Sequence, residues 1–122
     1  MDLFACVLRL VPDAQFSLSD NEYDKLVWSA SNTVSKPTLA ECEAAWQQIL
    51  DAEPMKRLRQ ERDRRLAASD LYAIVDYPHA DDAARQAWFV YRQALRDLPA
   101  TQTPALDPNG EFIGVDWPVP PS

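Results

Sequence analysis

The sequence predicts an α+β fold with an N-terminal β-hairpin or small sheet, three helices and a Pro-rich extended C-terminal arm. Three observations support this prediction. Apolar residues recur at three- and four-residue steps over residues 55–68 and 81–98, as in amphipathic helices. Branched and aromatic residues are concentrated in residues 3–11 and 23–28, as in β-strands. Six of the ten prolines lie in residues 99–121, where they favour an extended chain.

The two predicted strands come first in the chain. Leu3–Val11 reads LFACVLRLV and is followed by Pro12, whereas Tyr23–Trp28 reads YDKLVW, with Trp28 as its apolar anchor. Together they indicate a β-hairpin or small sheet within residues 1–36. Because a lone hairpin is marginally stable in water, this one must pack on a helix or pair with another chain.

A helix is predicted over residues 37–53. Thr38 can cap its first free amides, and Glu41, three residues later, can complete a capping box. Pro54 either ends or kinks this helix, or belongs to the first turn of the next one. One kinked helix over residues 39–68 and two abutting helices are therefore both consistent with the sequence.

The central stretch, residues 54–99, is predicted to be an antiparallel helical hairpin, because a short connection makes neighbouring helices antiparallel. In such a hairpin Arg92 on the second helix lies roughly level with Arg62 on the first, and Asp70 lies toward the loop. Arg–carboxylate pairs across this seam would fix the register more than they add stability. The residues assigned structural roles are Trp46, Asp70, Trp88, Tyr91, Arg92 and Arg96.

Length and composition predict one small domain over residues 1–99, followed by the arm over residues 100–122. The chain has 122 residues, of which 47% are hydrophobic and 25% are charged. This is enough for one modest core and is typical of a globular protein. The two cysteines, Cys6 and Cys42, each lie in an apolar pattern, which favours two buried thiols over a disulfide.

The charge and the motifs exclude several functions. A net charge of −7 argues against nucleic-acid binding, which needs clustered and uncompensated cations. No apolar run has the length of about 20 residues that a membrane span needs. His79 is the only histidine, and no nucleophile or metal motif surrounds it. We therefore predict no catalytic, cofactor-binding or metal-binding residues.

Two segments support a family assignment. Residues 62–70, RDRRLAASD, and residues 87–99, AWFVYRQALRDLP, resemble the tail assembly chaperone family of tailed bacteriophages. The Trp117-Pro118 pair stands where that family has a Trp-Pro near its C-terminus. One departure is Leu71, which stands where the family has an aromatic residue, with Tyr72 one position later.

The resemblance extends to Tyr23–Trp28 and Lys36–Glu41, and is tightest over residues 57–99. It implies a non-enzymatic protein of the host cytoplasm that binds a phage tail fibre or other tail protein during tail assembly. The alternative is a permanent structural component of the virion tail, such as a baseplate or fibre-attachment adaptor. A homo-oligomer remains open, and no cofactor is implied.

Exposed aromatic residues and extended proline-rich segments suit the recognition of another protein. For Trp28 and Trp117, simple completion of the core is the competing interpretation. The residues predicted to contact a partner are Trp28, Tyr72, Tyr77, Phe112, Trp117 and Pro118.

Overall fold

Three α-helices and two small antiparallel sheets make up the chain, which confirms the predicted α+β class. The computed structural model describes all 122 residues. They form two compact units, unit 1 (Met1–Ala52) and unit 2 (Glu53–Ser122). The elements in chain order are α1 (Leu3–Leu10), β1 (Phe16–Ser17), β2 (Val27–Trp28), α2 (Leu39–Ser69), α3 (Asp82–Thr101), β3 (Ala105–Leu106) and β4 (Phe112–Ile113).

Residues Leu3–Leu10 form helix α1, so the prediction of a strand over Leu3–Val11 is wrong. The carboxylate of Asp2 accepts a hydrogen bond from the Ala5 amide at 3.0 Å and caps the helix. Leu3 and Val7 are four residues apart and are both fully buried, which places them on one helical face. Branched apolar residues fit a buried helix as well as a strand, and here the cap and the spacing favour the helix.

The sheet of unit 1 pairs β1 with β2, with Phe16 opposite Trp28. The predicted strand over Tyr23–Trp28 is therefore right only in its last two residues. Tyr23–Lys25 form a 3₁₀ turn instead, and the Tyr23 hydroxyl donates to the Pro37 carbonyl oxygen at 2.5 Å. The buried residues of the unit 1 core are Leu3, Cys6, Val7, Leu26, Cys42 and Ala45.

Both cysteines of the chain are free, and both are buried in this core, as the sequence predicts. Burial raises the pKa of the Cys6 thiol and that of the Cys42 thiol, because the apolar surroundings disfavour a thiolate. The two residues therefore behave as small apolar side chains.

Helix α2 is continuous from Leu39 to Ser69, which settles the alternatives that the sequence left open in favour of one helix. Thr38 begins it as predicted, since its hydroxyl oxygen accepts from the Glu41 amide at 3.1 Å. The Glu41 carboxylate also accepts a hydrogen bond from that hydroxyl at 3.2 Å. Pro54 lies inside the helix without ending it.

In unit 2, residues 53–69 of α2 and the whole of α3 share one core, which contains Leu58, Tyr91, Leu95 and Leu98. Near the end of α2, the Leu66 carbonyl oxygen accepts a hydrogen bond from Arg92 of α3. Tyr72, which follows the end of α2, stacks on Trp88, which lies nearer the start of α3. The two segments are therefore antiparallel, as the hairpin prediction requires. The Asp81 carboxylate caps α3 by accepting from the Ala84 amide at 2.8 Å.

Residues 100–122 are not an extended arm over their whole length. Helix α3 includes Pro99 and ends at Thr101, and β3 then pairs with β4. A turn joins the two strands, since the Gly110 amide donates to the Asp107 carbonyl oxygen at 2.9 Å. From residue 115 to the end of the chain there is no regular secondary structure. We call residues 115–122 the tail segment.

Candidate partner-binding surface

An aromatic cluster joins the α2–α3 connection to α3. Tyr72 stacks on Trp88 with their ring centroids 3.8 Å apart and their planes 8° from parallel. Tyr77 contacts Tyr72 edge-on at 5.0 Å, and Trp88 contacts Tyr91 edge-on at 5.7 Å. Such pairs stabilise the packing beyond simple burial. The predicted partner-binding residues Tyr72 and Tyr77 are thus brought together with the structural residues Trp88 and Tyr91.

His79 belongs to this cluster. Its ring contacts Tyr77 edge-on at 4.6 Å, and its Nε2 atom lies 3.0 Å from the Tyr72 carbonyl oxygen. The imidazole therefore ties the end of the connection back to its start. This is a packing role, and sequence reasoning did not assign it, because it depends on a fold of the connection that a single histidine does not reveal.

The connection also leaves apolar side chains in solvent. Leu71 and Ile74 are about half exposed, and Val75 is 94% exposed. We call these three residues the apolar loop. Because the neighbouring Tyr72 stacks on Trp88 of α3 and its carbonyl oxygen contacts His79, the apolar loop is held on a fixed base. An exposed group of apolar side chains of this kind is typical of a protein interaction site.

Arg92 fixes the helices below the cluster. Its guanidinium donates to the Leu66 carbonyl oxygen and to the Asp70 carboxylate, each at 2.8 Å, and to the Ser69 hydroxyl at 2.6 Å. A pair between an arginine and a carboxylate across the seam is therefore present. Arg96 is arranged differently, since it donates to Gln93 on its own helix at 2.9 Å.

The tail segment lies beside the same helices. The Trp117 ring lies under the Arg65 guanidinium, 4.2 Å from the ring centroid to the guanidinium carbon, and packs against the unit 2 core with Phe112 and Val115. Pro118 is half-buried. Phe112 and Trp117, predicted to contact a partner, are thus already partly used within the unit, and this cation–π contact was not foreseen.

Glu61 orients the two arginines beside the tail segment. Arg64 donates to both of its carboxylate oxygens, at 2.6 and 2.8 Å, and Arg65 donates at 3.0 Å. The hydrogen bond from Arg64, followed by the one from Arg65, lowers the pKa of Glu61 to about 2. The carboxylate therefore stays ionised and holds Arg65 in place over Trp117.

An open cavity of 330 Å³ lies between α2, the aromatic cluster and the tail segment. We call it the aromatic groove. Its walls include Arg65, Ala68 and Ser69 of α2, Tyr72, Trp88 of α3 and Pro120 of the tail segment. Aromatic side chains and the two arginines Arg64 and Arg65 line it together, so it suits an extended peptide better than a reacting small molecule.

The remaining predicted residues, Trp28 and Trp46, lie in unit 1. The Trp28 indole donates to the Val34 carbonyl oxygen at 2.9 Å and stacks on Phe16, with 6.3 Å between the ring centroids. Trp46 is half-buried against the unit 1 core. Both tryptophans therefore contribute to the packing of unit 1.

No group of three or more His, Cys, Asp or Glu side chains is arranged so that it could hold a metal ion. None of the helices combines the length and the apolar character needed to cross a membrane.

The chain matches a known protein family. A family model described as phage tail assembly chaperone protein matches residues 55–122. This range lies within unit 2 and contains the aromatic cluster, the apolar loop and the tail segment. No curated protein and no solved structure gives a match.

Proposed function

Because this chain belongs to the phage tail assembly chaperone family, we propose that it binds a tail fibre or other tail protein during assembly, without catalysing a reaction. The family implies a non-catalytic role in tail assembly. The identity of the bound protein and the surface that binds it are the new parts of this proposal. Assembly of phage tails takes place in the host cytoplasm, which is where we propose that the protein acts.

The apolar loop is the observation that carries the proposal. It lies within the residues that match the family, and it exposes Leu71, Ile74 and Val75 next to a rigid aromatic cluster. Covering such side chains with a partner removes apolar surface from water, which favours association. The contacts of Tyr72 with Trp88 and His79 hold the start of the connection in place, which lowers the entropic cost of binding.

The aromatic residues predicted to contact a partner remain part of the proposal. Tyr72 and Tyr77 are half-buried, lie close in sequence to the apolar loop and can extend its surface. Phe112, Trp117 and Pro118 are also half-buried, and each keeps an exposed fraction that a partner can cover. Trp28 in unit 1 is also half-buried. Its contribution to partner binding is tested separately with a Trp28→Ala variant.

Co-expression with the tail fibre and tail proteins of the same phage genome tests this function. We expect the wild-type chain to co-purify with one of them and to raise its soluble yield. Val75→Asp places a charge in the apolar loop and is expected to abolish co-purification. Val34→Asp, at a residue of unit 1 that is 52% exposed, is the matched control and is expected to retain it.

The outcome that contradicts the proposal is equally definite. If no tail protein co-purifies or gains solubility, or if Val34→Asp is as harmful as Val75→Asp, the apolar loop is not the binding surface. Mass spectrometry of purified particles separates the two roles in assembly. Absence of the chain from particles indicates a chaperone that is released, whereas a fixed stoichiometry indicates a permanent component of the virion tail.

A further inference from the structure

The tail segment has the composition of a peptide ligand. Residues 117–121 read Trp-Pro-Val-Pro-Pro, and Pro118 and Pro120 are separated by Val119, which is largely exposed. Alternate prolines favour the polyproline II conformation, which has no internal hydrogen bonds and loses little entropy on binding. Aromatic-lined grooves bind such segments through the flat faces of their side chains.

The chain already places this segment at a groove of that kind. Trp117 lies against Arg65, and Pro120 lines the aromatic groove together with the stacked rings of Tyr72 and Trp88. Pro120 is itself exposed, and the groove is left open to solvent. The tail segment thus borders the groove with a proline but does not fill it.

The tail segment is held weakly. Beyond Gly114 it makes one hydrogen bond to the rest of unit 2, from the Asp116 amide to the Gln102 side-chain oxygen at 2.9 Å. The remaining attachments are the packing of Val115 and Trp117 on the unit 2 core and the contact of the Trp117 ring with the Arg65 guanidinium. A segment with so few hydrogen bonds can be displaced at low cost compared with a helix or a strand.

We propose that the aromatic groove binds an extended, proline-containing segment of the tail protein, and that the chain's own tail segment partly blocks it until that segment arrives. This inference rests on the proposed function, since it names the chemistry of the partner. The own tail segment acts as an internal competitor, so the groove is fully available only when the tail segment is released. The bound segment lies across Tyr72 and Trp88, with Arg65 beside it.

The test uses a synthetic peptide with the sequence of residues 115–122 as its probe, and the full-length chain as the receptor. Trp117→Ala removes the main anchor of the tail segment and frees the groove. We expect this variant to bind the peptide several-fold more tightly than the wild type, because the chain's own tail segment borders the groove and competes for part of it. Amide NMR shifts at Ala68, Ser69 and Trp88 locate the peptide.

Two controls test whether peptide binding depends on the aromatic rings of the groove and on the prolines of the peptide. Adding Tyr72→Ala to Trp117→Ala is expected to abolish binding, and a peptide with alanine in place of its three prolines is expected not to bind. If Trp117→Ala does not fold, the double variant Pro118→Gly/Pro120→Gly loosens the tail segment without removing a side chain of the core, and the same binding measurements are made on it.

Three binding results overturn the proposal. They are a folded variant with a released tail segment that does not bind the peptide, binding that is insensitive to Tyr72→Ala, and binding of the alanine peptide with equal affinity. Concentration-dependent dimerisation of Trp117→Ala that the peptide does not reverse would also contradict it, since a second copy would then cover the surface. These measurements involve no tail protein, so their failure leaves the co-purification test of the proposed function intact.

Discussion

The guanidinium of Arg92 on α3 lies 2.8 Å from the carbonyl oxygen of Leu66 on α2. The same group also binds the Asp70 carboxylate and the Ser69 hydroxyl, so one side chain satisfies three acceptors at the end of α2. Only 13% of the Arg92 side chain is exposed. The contact fixes how far α3 lies along α2, and therefore positions Trp88 under Tyr72.

Arg92→Ala is expected to lower the free energy of unfolding of unit 2 by about 2 kcal/mol, because it removes charge-assisted hydrogen bonds and leaves the Ser69 hydroxyl buried with fewer partners. Amide hydrogen exchange in α3 measures this loss. Arg96→Ala removes only an exposed contact with Gln93 and is expected to cost less than about 0.5 kcal/mol. Equal losses in the two variants would show that the seam does not depend on Arg92.

Leu95→Ala is expected to lower the free energy of unfolding of unit 2 by about 3 kcal/mol. Leu95 is fully buried in the core shared by α2 and α3, so truncation leaves a cavity. Val90→Ala on the same helix is the matched control, since Val90 is 68% exposed and its loss is expected to stay within about 0.5 kcal/mol. Urea denaturation followed by near-ultraviolet circular dichroism distinguishes the two; a Leu95→Ala protein as stable as the control would refute this core.

Glu61→Gln is expected to destabilise unit 2 at pH 7 by about 1 kcal/mol, a value reduced for solvent screening because the Glu61 side chain is 32% exposed. The folded pKa of Glu61 is lowered from its ordinary 4.5 to about 2. A lowered carboxyl pKa stabilises the fold above pH 4.5, and this contribution is lost as the pH falls from 4.5 toward 2. Urea denaturation of both proteins between pH 7 and pH 3 should show the difference shrinking. A difference that does not vary with pH would contradict the role of the ionised carboxylate.

Gly114→Ala is expected to destabilise unit 2 by about 3 kcal/mol, because the positive φ disfavours a side chain and because the added Cβ would clash with a neighbouring atom. Gly114 has a φ of +85°, and an added Cβ would lie 2.7 Å from the Thr103 carbonyl oxygen. Gly110, with a φ of +80° and no atom within 4 Å of an added Cβ, is the natural comparison.

For Gly110→Ala the positive φ is the only cost, so we expect the free energy of unfolding to fall by about 1 kcal/mol. Thermal unfolding of the two variants, checked by NMR of the β3 and β4 amides, measures the gap between them. Two equal losses would mean that the close approach to Thr103 is relieved by a small movement of the chain.

The helical part of this fold could be predicted because its signals are local. The Thr38–Glu41 cap and the periodic leucines of residues 55–98 act over a single turn or a pair of neighbouring helices. Helix α1 was predicted as a strand because its apolar residues fit both structures. The signal in favour of the helix was Asp2 as a cap, together with the four-residue spacing of Leu3 and Val7.

The candidate binding surface could be predicted only in part. The aromatic residues of the connection pointed to a surface, but the stack of Tyr72 on Trp88 and the contact of His79 with Tyr72 depend on how the connection turns back. The placement of Trp117 under Arg65 joins residues 52 positions apart in sequence, and no local pattern encodes it. Contacts made by irregular segments follow from tertiary packing, which sequence periodicity does not describe.

Both sulfhydryl groups of the chain, at Cys6 and Cys42, are enclosed in unit 1, and unit 2 has none. A thiol reagent can therefore modify this protein only when unit 1 opens. The alkylation rate of the two cysteines therefore measures how often residues 1–52 open, and no engineered label is needed. Hydrogen exchange of the α3 amides measures the opening of unit 2 independently. Comparing the exchange rate with the alkylation rate therefore shows whether the two units open together or separately.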